Sequence, residues 1–446
     1  MASRQELNLT NARDISLNLL LRVQVSDSYV NLLLPKELAK HQINDADRGL
    51  VQELTYGCLR WELQYDRMID HFTPGKVLSP HVRTSIRLGL HQLFRMRVPA
   101  HAAINESVDL VKKYEPNAAG LANAVLRNAE RAGFDSLVST LTNGLNTIEA
   151  LSVKYSHPTW IVSGFLSALD LDGRKQELEQ FLASNNEVPQ VNLAGLSDAS
   201  RLALDEIGSE HGSASPIGYL AEGSLDKYLE IPGVRVQDQG SQLVALALGQ
   251  VANLEGTWLD MCAGPGGKAA VLESLKPISK GELVCYEPNQ KRAELVSNAL
   301  DKVHQSKVEV RSGQSAPADS FDAILLDAPC SGLGSLRRKP EARWRKSPEQ
   351  LPELTTLQSS LIDSAVKALK SGGYLMYATC SPLVAETNTQ IRGLVERHPN
   401  MKLVDLPAIL GALNPELKLN ASRKTVQLWT HQHRTDAMFM ALLKKD

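Results

Sequence analysis

The chain has 446 residues, 43% of them hydrophobic, and 48 basic against 50 acidic side chains for a net charge of −2. That is enough apolar material for two or three domains with cores of their own, and it excludes a disordered chain. With so little net charge, a nucleic-acid partner must be held by a local basic patch, not by the field of the whole molecule. The five cysteines, Cys58, Cys262, Cys285, Cys330 and Cys380, are scattered and contain no CxxC pair, which argues against a disulfide framework or a metal site and for reduced thiols. The opening MASRQELNLTNARD lacks the basic and apolar regions of a signal peptide, and no apolar run approaches membrane-spanning length, so a cytoplasmic protein with no membrane partner is expected.

The first part of the chain reads as helices. Leu50, Val51, Leu54, Cys58 and Leu59 recur at helical spacing, as do Val82, Ile86, Leu90, Leu93 and Phe94, then Ile104, Val108 and Val111, then Leu121, Val125 and Leu126. This pattern predicts an all-α bundle over residues 1–145. KYSHPTW, 154–160, reads as a connector with a helix restarting after Pro158, and His157 within it as structural. Residues 173–235 carry short apolar runs and the polar stretch GSEHGSASP, so 146–235 is expected to hold a linker helix and a small α+β subdomain.

From VQDQGSQ onward the pattern alternates between apolar strands and amphipathic helices, which predicts a doubly wound α/β domain over 236–446. Candidate strands are 257–262, 282–287, 308–312, 321–327, 372–379, 426–430 and 437–443. HQHRTD between the last two is too short for a helical crossover, so they should pair antiparallel at a sheet edge.

Three strand ends carry chemistry. WLDMCAGPGGK, 258–268, runs from an apolar strand into a glycine-rich turn, the position at which an open α/β sheet receives a nucleotide-like cofactor. Gly264, Gly266 and Gly267 would let backbone approach that cofactor, and Glu287 at the end of the next strand is placed to accept ribose hydroxyls. FDAILL delivers Cys330 in DAPCSG, and YLMY delivers Cys380 in ATCS, so two thiols are expected near one sheet edge. RRKPEARWRK, 337–346, follows the first of them with six basic residues, Glu341 and Trp344. A charged run alone is most simply a solvated face, but next to the Cys330 strand it is expected to grip phosphates and stack a base.

The strings DMCAGPGGK, DAPCSGLGSLRRKPEARW and ATCS resemble the RNA cytosine-5 methyltransferases. LTYGCLRW, IRLGLHQLF, PAHAAINESVDLVKK and LANAVLRNAER resemble the NusB-like RNA-binding domain fused to one branch of that family, the Sun/Fmu type that methylates 16S rRNA. The resemblance implies a class I Rossmann-like domain using S-adenosylmethionine, and a covalent mechanism. In it a thiolate adds to C6 of cytosine so that C5 becomes nucleophilic. It assigns the nucleophile to Cys380 and release of the product to Cys330. Asp327 is expected to support hydrogen bonding at N3 and the exocyclic amine, and Lys268 to act on the thiol, cofactor or base. Cofactor contacts are expected from Cys262, Ala263, Gly264, Pro265, Gly266, Gly267, Lys268, Glu287, Gln314 and Asp327. The implied partner is 16S rRNA, naked or partly assembled, with a flipped-out cytosine taken up by a monomeric enzyme.

The chain departs from the family pattern in three places. Gln314 stands where the resemblance calls for an acid beside the adenine, offering a carbonyl acceptor but no charge. The turn reads CAGPGGKAA in place of CAAPGGKT, and Gln190-Val191-Asn192 replaces Arg-Val-Asn. Two other readings stay open from sequence: an RNA-binding, antitermination-like protein with a weakened catalytic half, and a methyltransferase acting on transfer RNA.

Overall fold

A computed structural model describes residues 11–25, 29–278, 280–301 and 303–446. The reading of residues 1–10 as lacking a leader therefore lies outside the described residues. The chain divides into two compact units, one of residues 1–163 with 338–345, the other of 164–337 with 346–446. Among the described residues no helix is long and apolar enough to cross a membrane.

The first unit is all helical. The helices Asp45–Arg60, Pro80–Arg95, Ala100–Tyr114 and Ala119–Ala132 bury the stripes that periodicity marks, with Val51, Leu54, Val82, Ile86, Leu90, Ile104, Val108, Val111, Val125 and Leu126 all in the core. Ser79 starts the second of these by accepting the Val82 N–H at 3.2 Å, with Pro80 at the first helical position. Helix Asp45–Arg60 breaks at Trp61 before Glu62–Phe72 begins, so carbonyls on one side of the break and N–H groups on the other lose their helical partners. Ser156 Oγ accepts the N–H groups of Leu63 and Gln64 at 3.1 and 3.4 Å.

The carbonyl side of that break overturns one expectation. Arg343 donates to the carbonyls of Arg60 and Ser156 at 3.2 and 2.9 Å, and the Trp344 indole donates to Leu59 O at 2.7 Å. Arg345 donates to Val23 O at 2.9 Å, and Glu341 accepts the Val30 N–H at 2.6 Å. Arg343 is fully buried, and burial, with the charge of Arg60, pulls its guanidinium down to about 9. The core of the basic run is thus not a phosphate grip; its cations are spent on backbone carbonyls at helix ends. Arg337, in the second unit, is also buried and donates to Arg434 O at 2.8 Å. His157 is wholly buried with Nδ1 2.7 Å from Tyr155 O, a structural placement.

The second unit holds two sheets. The smaller contains β1 (Val191–Gly195), β2 (Glu210–His211), β3 (Gly218–Ala221) and β4 (Val234–Val236), antiparallel in the order β2-β3-β1-β4, over a core of Leu193, Leu204, Tyr219, Tyr228 and Val234. The larger contains β5 (Thr257–Asp260), β6 (Glu282–Tyr286), β7 (Ser306–Glu309), β8 (Phe321–Asp327), β9 (Leu369–Thr379), β10 (Met401–Leu403), β11 (Val426–Gln427) and β12 (Phe439–Lys445). Its order is β10-β12-β9-β8-β5-β6-β7, with β11 also paired to β12. Strands β5 to β9 are mutually parallel, and β12 pairs antiparallel with β9, β10 and β11. The expected antiparallel closing pair is present as β11 and β12. The sequence reading did not include β10, and the loop between β11 and β12 contains the short helix Thr430–His433.

The continuous apolar runs follow from a sheet buried on both faces. Trp258, Ala323, Leu325, Met376, Ala378, Met440 and Leu442 enter one core, which helices Gln239–Gly249 and Gly267–Leu275 cover. Their alternates Leu259, Ile324, Leu326, Leu375, Tyr377, Phe439, Ala441 and Leu443 enter the other, under helices Leu351–Ala368 and Asn388–Arg397.

Candidate active site

Strands leave β5 in opposite directions: β6 and β7 lie to one side, β8 and β9 to the other. This is a topological switch point, and the crevice outside the carboxyl ends of such strands is where open α/β sheets bind ligands. Register brings the key residues there together. Asp260 at the end of β5 pairs with Leu325, and Asp327 at the end of β8 pairs with Ala378, so Cys330 and Cys380 emerge from neighbouring strand ends.

The two thiols are in contact, Sγ to Sγ 3.4 Å, and neither is in a disulfide. A hydrogen bond to Cys380, burial, and the charges of Glu386 and Asp327 push the Cys330 thiol well above the ordinary range. Lys268, in the first turn of helix Gly267–Leu275, donates to Asp327 Oδ2 at 2.7 Å. Burial works to lower its pKa, but the charge and hydrogen bond of Asp327, with Cys380 and Asp260 behind, outweigh it, so Lys268 is held as a cation. The site therefore pairs unlike neighbours, with a carboxylate among the groups acting on Cys330 and a fixed ammonium whose charge interacts with Cys380.

The glycine turn is built by packing as much as by ligand access. A Cβ on Gly266, whose φ is +104°, would lie 2.5 Å from Ala299 Cβ and 3.0 Å from Val296 Cα; one on Gly264 would lie 2.2 Å from Glu287 Oε2. Gly267, by contrast, has nothing closer than Gln237 at 3.6 Å. Ala263 N–H donates to Tyr286 O at 2.9 Å, joining the turn to β6, and Gly266 N–H donates back to Ala263 O at 2.7 Å. Pro265 is exposed at the tip. Burial, with the charges of Asp260, Asp327 and Glu287, keeps Cys262 protonated, unlike a nucleophile.

Glu287 follows β6, is 3% exposed, accepts the Asn289 N–H at 3.0 Å and faces Arg292 at 3.4 Å. Gln314 lies exposed in the turn Gly313–Ser315 and donates its amide to Ser360 Oγ at 2.8 Å, which leaves its carbonyl as the group to offer a ligand. Sequence reasoning passed over two buried acids here. Asp260 is pushed up to about 7 by burial, with the Asp327 charge adding and Lys268 opposing; its signal was the acid closing the apolar run TWLD. Glu386 is wholly buried beside Ser331 and Ser381, and no local pattern marks it. Glu287, beside the turn at the end of β6, offers carboxylate acceptors, which fits a ligand carrying hydroxyls.

Comparison with known proteins gives the family and the fold. Residues 247–444 match the family described as 16S rRNA methyltransferase RsmB/F, and residues 10–131 match the NusB family. The methyltransferase-type protein Rv1407 of Mycobacterium tuberculosis is 36% identical over 98% of this chain and 97% of its own. The ribosomal RNA small subunit methyltransferase B of Pseudomonas putida is 33% identical over 86% of this chain and 89% of its own. Among solved structures, PH0851 superposes with a TM-score of 0.77 at 22% identity, covering 97% of this chain and 98% of that one, a likeness of fold. The chain belongs to the RsmB/F family of S-adenosylmethionine-dependent rRNA methyltransferases and carries a NusB-family domain at its N-terminal end.

Proposed function

We propose that this protein methylates C5 of a cytosine in 16S rRNA through a covalent adduct between Cys380 and C6 of the base. The observation that carries the reading is the pair of thiols 3.4 Å apart at adjacent strand ends, beside the Lys268–Asp327 ion pair. Cytosine C5 is a weak carbon nucleophile, so a group must first add to C6. The Cys380 thiolate forms the S–C6 bond and the ring electrons shift toward C5 and N3, where Asp327 and Lys268 stabilise the developing charge. S-adenosylmethionine supplies a methyl group on a sulfonium, an electrophile for that carbon. Cys330 then assists loss of the C5 proton; the S–C6 bond breaks, the ring regains its double bond and Cys380 leaves as thiolate.

The ammonium of Lys268, whose charge interacts with Cys380, supports giving the attacking thiolate to Cys380. The cofactor is assigned to the turn Cys262, Ala263, Gly264, Pro265, Gly266 and Gly267, with Lys268, Glu287, Gln314 and Asp327 around it. The enzyme acts as a cytoplasmic monomer on naked or partly assembled RNA, where the base is easiest to extrude. The same division of the chain, 1–145, 146–235 and 236–446, is proposed for RNA binding, connection and catalysis.

Nucleoside mass spectrometry of unmodified 16S rRNA and transfer RNA, each incubated with protein and S-adenosylmethionine, tests it. New 5-methylcytidine in 16S rRNA alone is expected; product in transfer RNA alone would overturn the substrate. Cys380→Ala should abolish turnover and Cys330→Ala should accumulate a denaturation-resistant protein–RNA adduct. An adduct in Cys380→Ala that needs Cys330 would reverse the two roles.

A further inference from the structure

We propose that Glu386 is a positioning residue that locks the two cysteine-bearing loops together, an inference that rests on the assignment of Cys380 and Cys330 to the covalent chemistry. Glu386 ends the turn Val384–Glu386 and is 0% exposed. Its Oε1 accepts the Ser331 backbone N–H at 2.7 Å and the Gln358 carboxamide at 3.2 Å. Its Oε2 accepts the hydroxyls of Ser331 and Ser381 at 2.5 and 2.6 Å. Ser331 follows Cys330 and Ser381 follows Cys380, so one carboxylate holds the residue after each thiol. The two hydroxyls also meet at 3.1 Å.

The clamp is itself anchored. Gln358 reaches from helix Leu351–Ala368 to Pro329 O at 2.8 Å, just before Cys330, and the Tyr377 hydroxyl donates to the Glu386 carbonyl at 2.8 Å. A carboxylate accepts about four hydrogen bonds, and here four donors converge on Glu386, none of them a cation. Burying a carboxylate without a counter-charge is costly, and its hydrogen bonds must offset that cost. What it secures is geometry. Cys330 and Cys380 sit on loops from different strands, and the backbone bond from Gly334 N–H to Cys380 O, 2.8 Å, ties the Cys380 side only beyond Cys330.

Glu386→Gln in the full chain keeps the side chain's size but turns one acceptor into a donor that faces other donors. Turnover would be measured on unmodified 16S rRNA, and alkylation of Cys330 and Cys380 by iodoacetamide would be followed separately by peptide mass spectrometry. The expected result is a kcat lower by about a hundredfold, with KM for RNA and S-adenosylmethionine little changed, because displacement of reacting groups by about 1 Å costs that much. The ratio of the two alkylation rates should shift with it. A parental kcat overturns the proposal, as does a kcat loss with an unchanged alkylation ratio, which would make the residue a folding element alone. If Glu386→Gln does not fold, Ser331→Ala and Ser381→Ala each remove one donor while keeping the carboxylate. They should shift the alkylation ratio in the same direction, and parental ratios in both overturn the clamp. Turnover by Cys380→Ala in the same assay would overturn the cysteine assignment separately, since the alkylation ratio in Glu386→Gln does not depend on it.

Discussion

Lys268 and Arg343 are both cations drawn out of water, one in each unit, and they have opposite companions. Lys268 meets a carboxylate at 2.7 Å, and its pKa is raised; Arg343 meets neutral carbonyls, and burial pulls it down to about 9. The first is compensated, so its charge remains available to groups that gain or lose charge beside it. The second is consumed in closing a break between helices, where its hydrogen bonds replace those the backbone cannot make. Burial of a positive side chain is therefore no guide to function until the partner is known.

The largest effect that would sharpen this contrast is expected at Lys268. Lys268→Met keeps much of the side-chain volume and leaves Asp327 without its cation, and methyl transfer should fall about a thousandfold, the scale of losing one electrostatic stabiliser. Circular dichroism should show the fold intact. Arg343→Met should do the reverse: the first unit loses about 3 kcal/mol of unfolding stability, because the buried hydrogen bonds to the carbonyls of Arg60 and Ser156 are lost. Its kcat at saturating RNA, measured below the melting transition, should match the parent. If Arg343→Met lost turnover without losing stability, the two cations would not differ as described.

The same contrast explains what the sequence disclosed. Two-sided burial makes FDAILL and YLMY legible as strands, and a thiol placed just past such a run must reach the sheet edge. The helical stripes of the first unit were readable for the same reason, that periodicity reports burial directly. The basic run failed because its meaning depends on a helix break at Trp61, some 280 residues earlier, and on Ser156 opposite it. Glu386 was hidden by the same nonlocality: its donors come from residues 331, 358 and 381. The three-residue β10 is too short to show a period, and only pairing with β12 defines it.

Asp260 is the anionic counterpart of these cations and carries the smallest of the expected effects. It is 1% exposed, and burial with the charge of Asp327 pushes it up to about 7, well above the 3.8 of a free aspartate. In the unfolded chain it loses its proton near the lower value, so between the two the folded state binds more protons, and stability falls as pH rises through the window. The contribution is complete below about pH 4 and is gone above about pH 7. Asp260→Asn removes this term. Its stability relative to the parent should therefore grow by up to about 1.4 kcal/mol per pH unit, roughly 2 kcal/mol between pH 5 and 7. Urea unfolding of the cofactor-free protein at several pH values measures it. A difference that stays flat with pH would mean that Lys268 compensates Asp260 as fully as it does Asp327, and that one ammonium serves both acids.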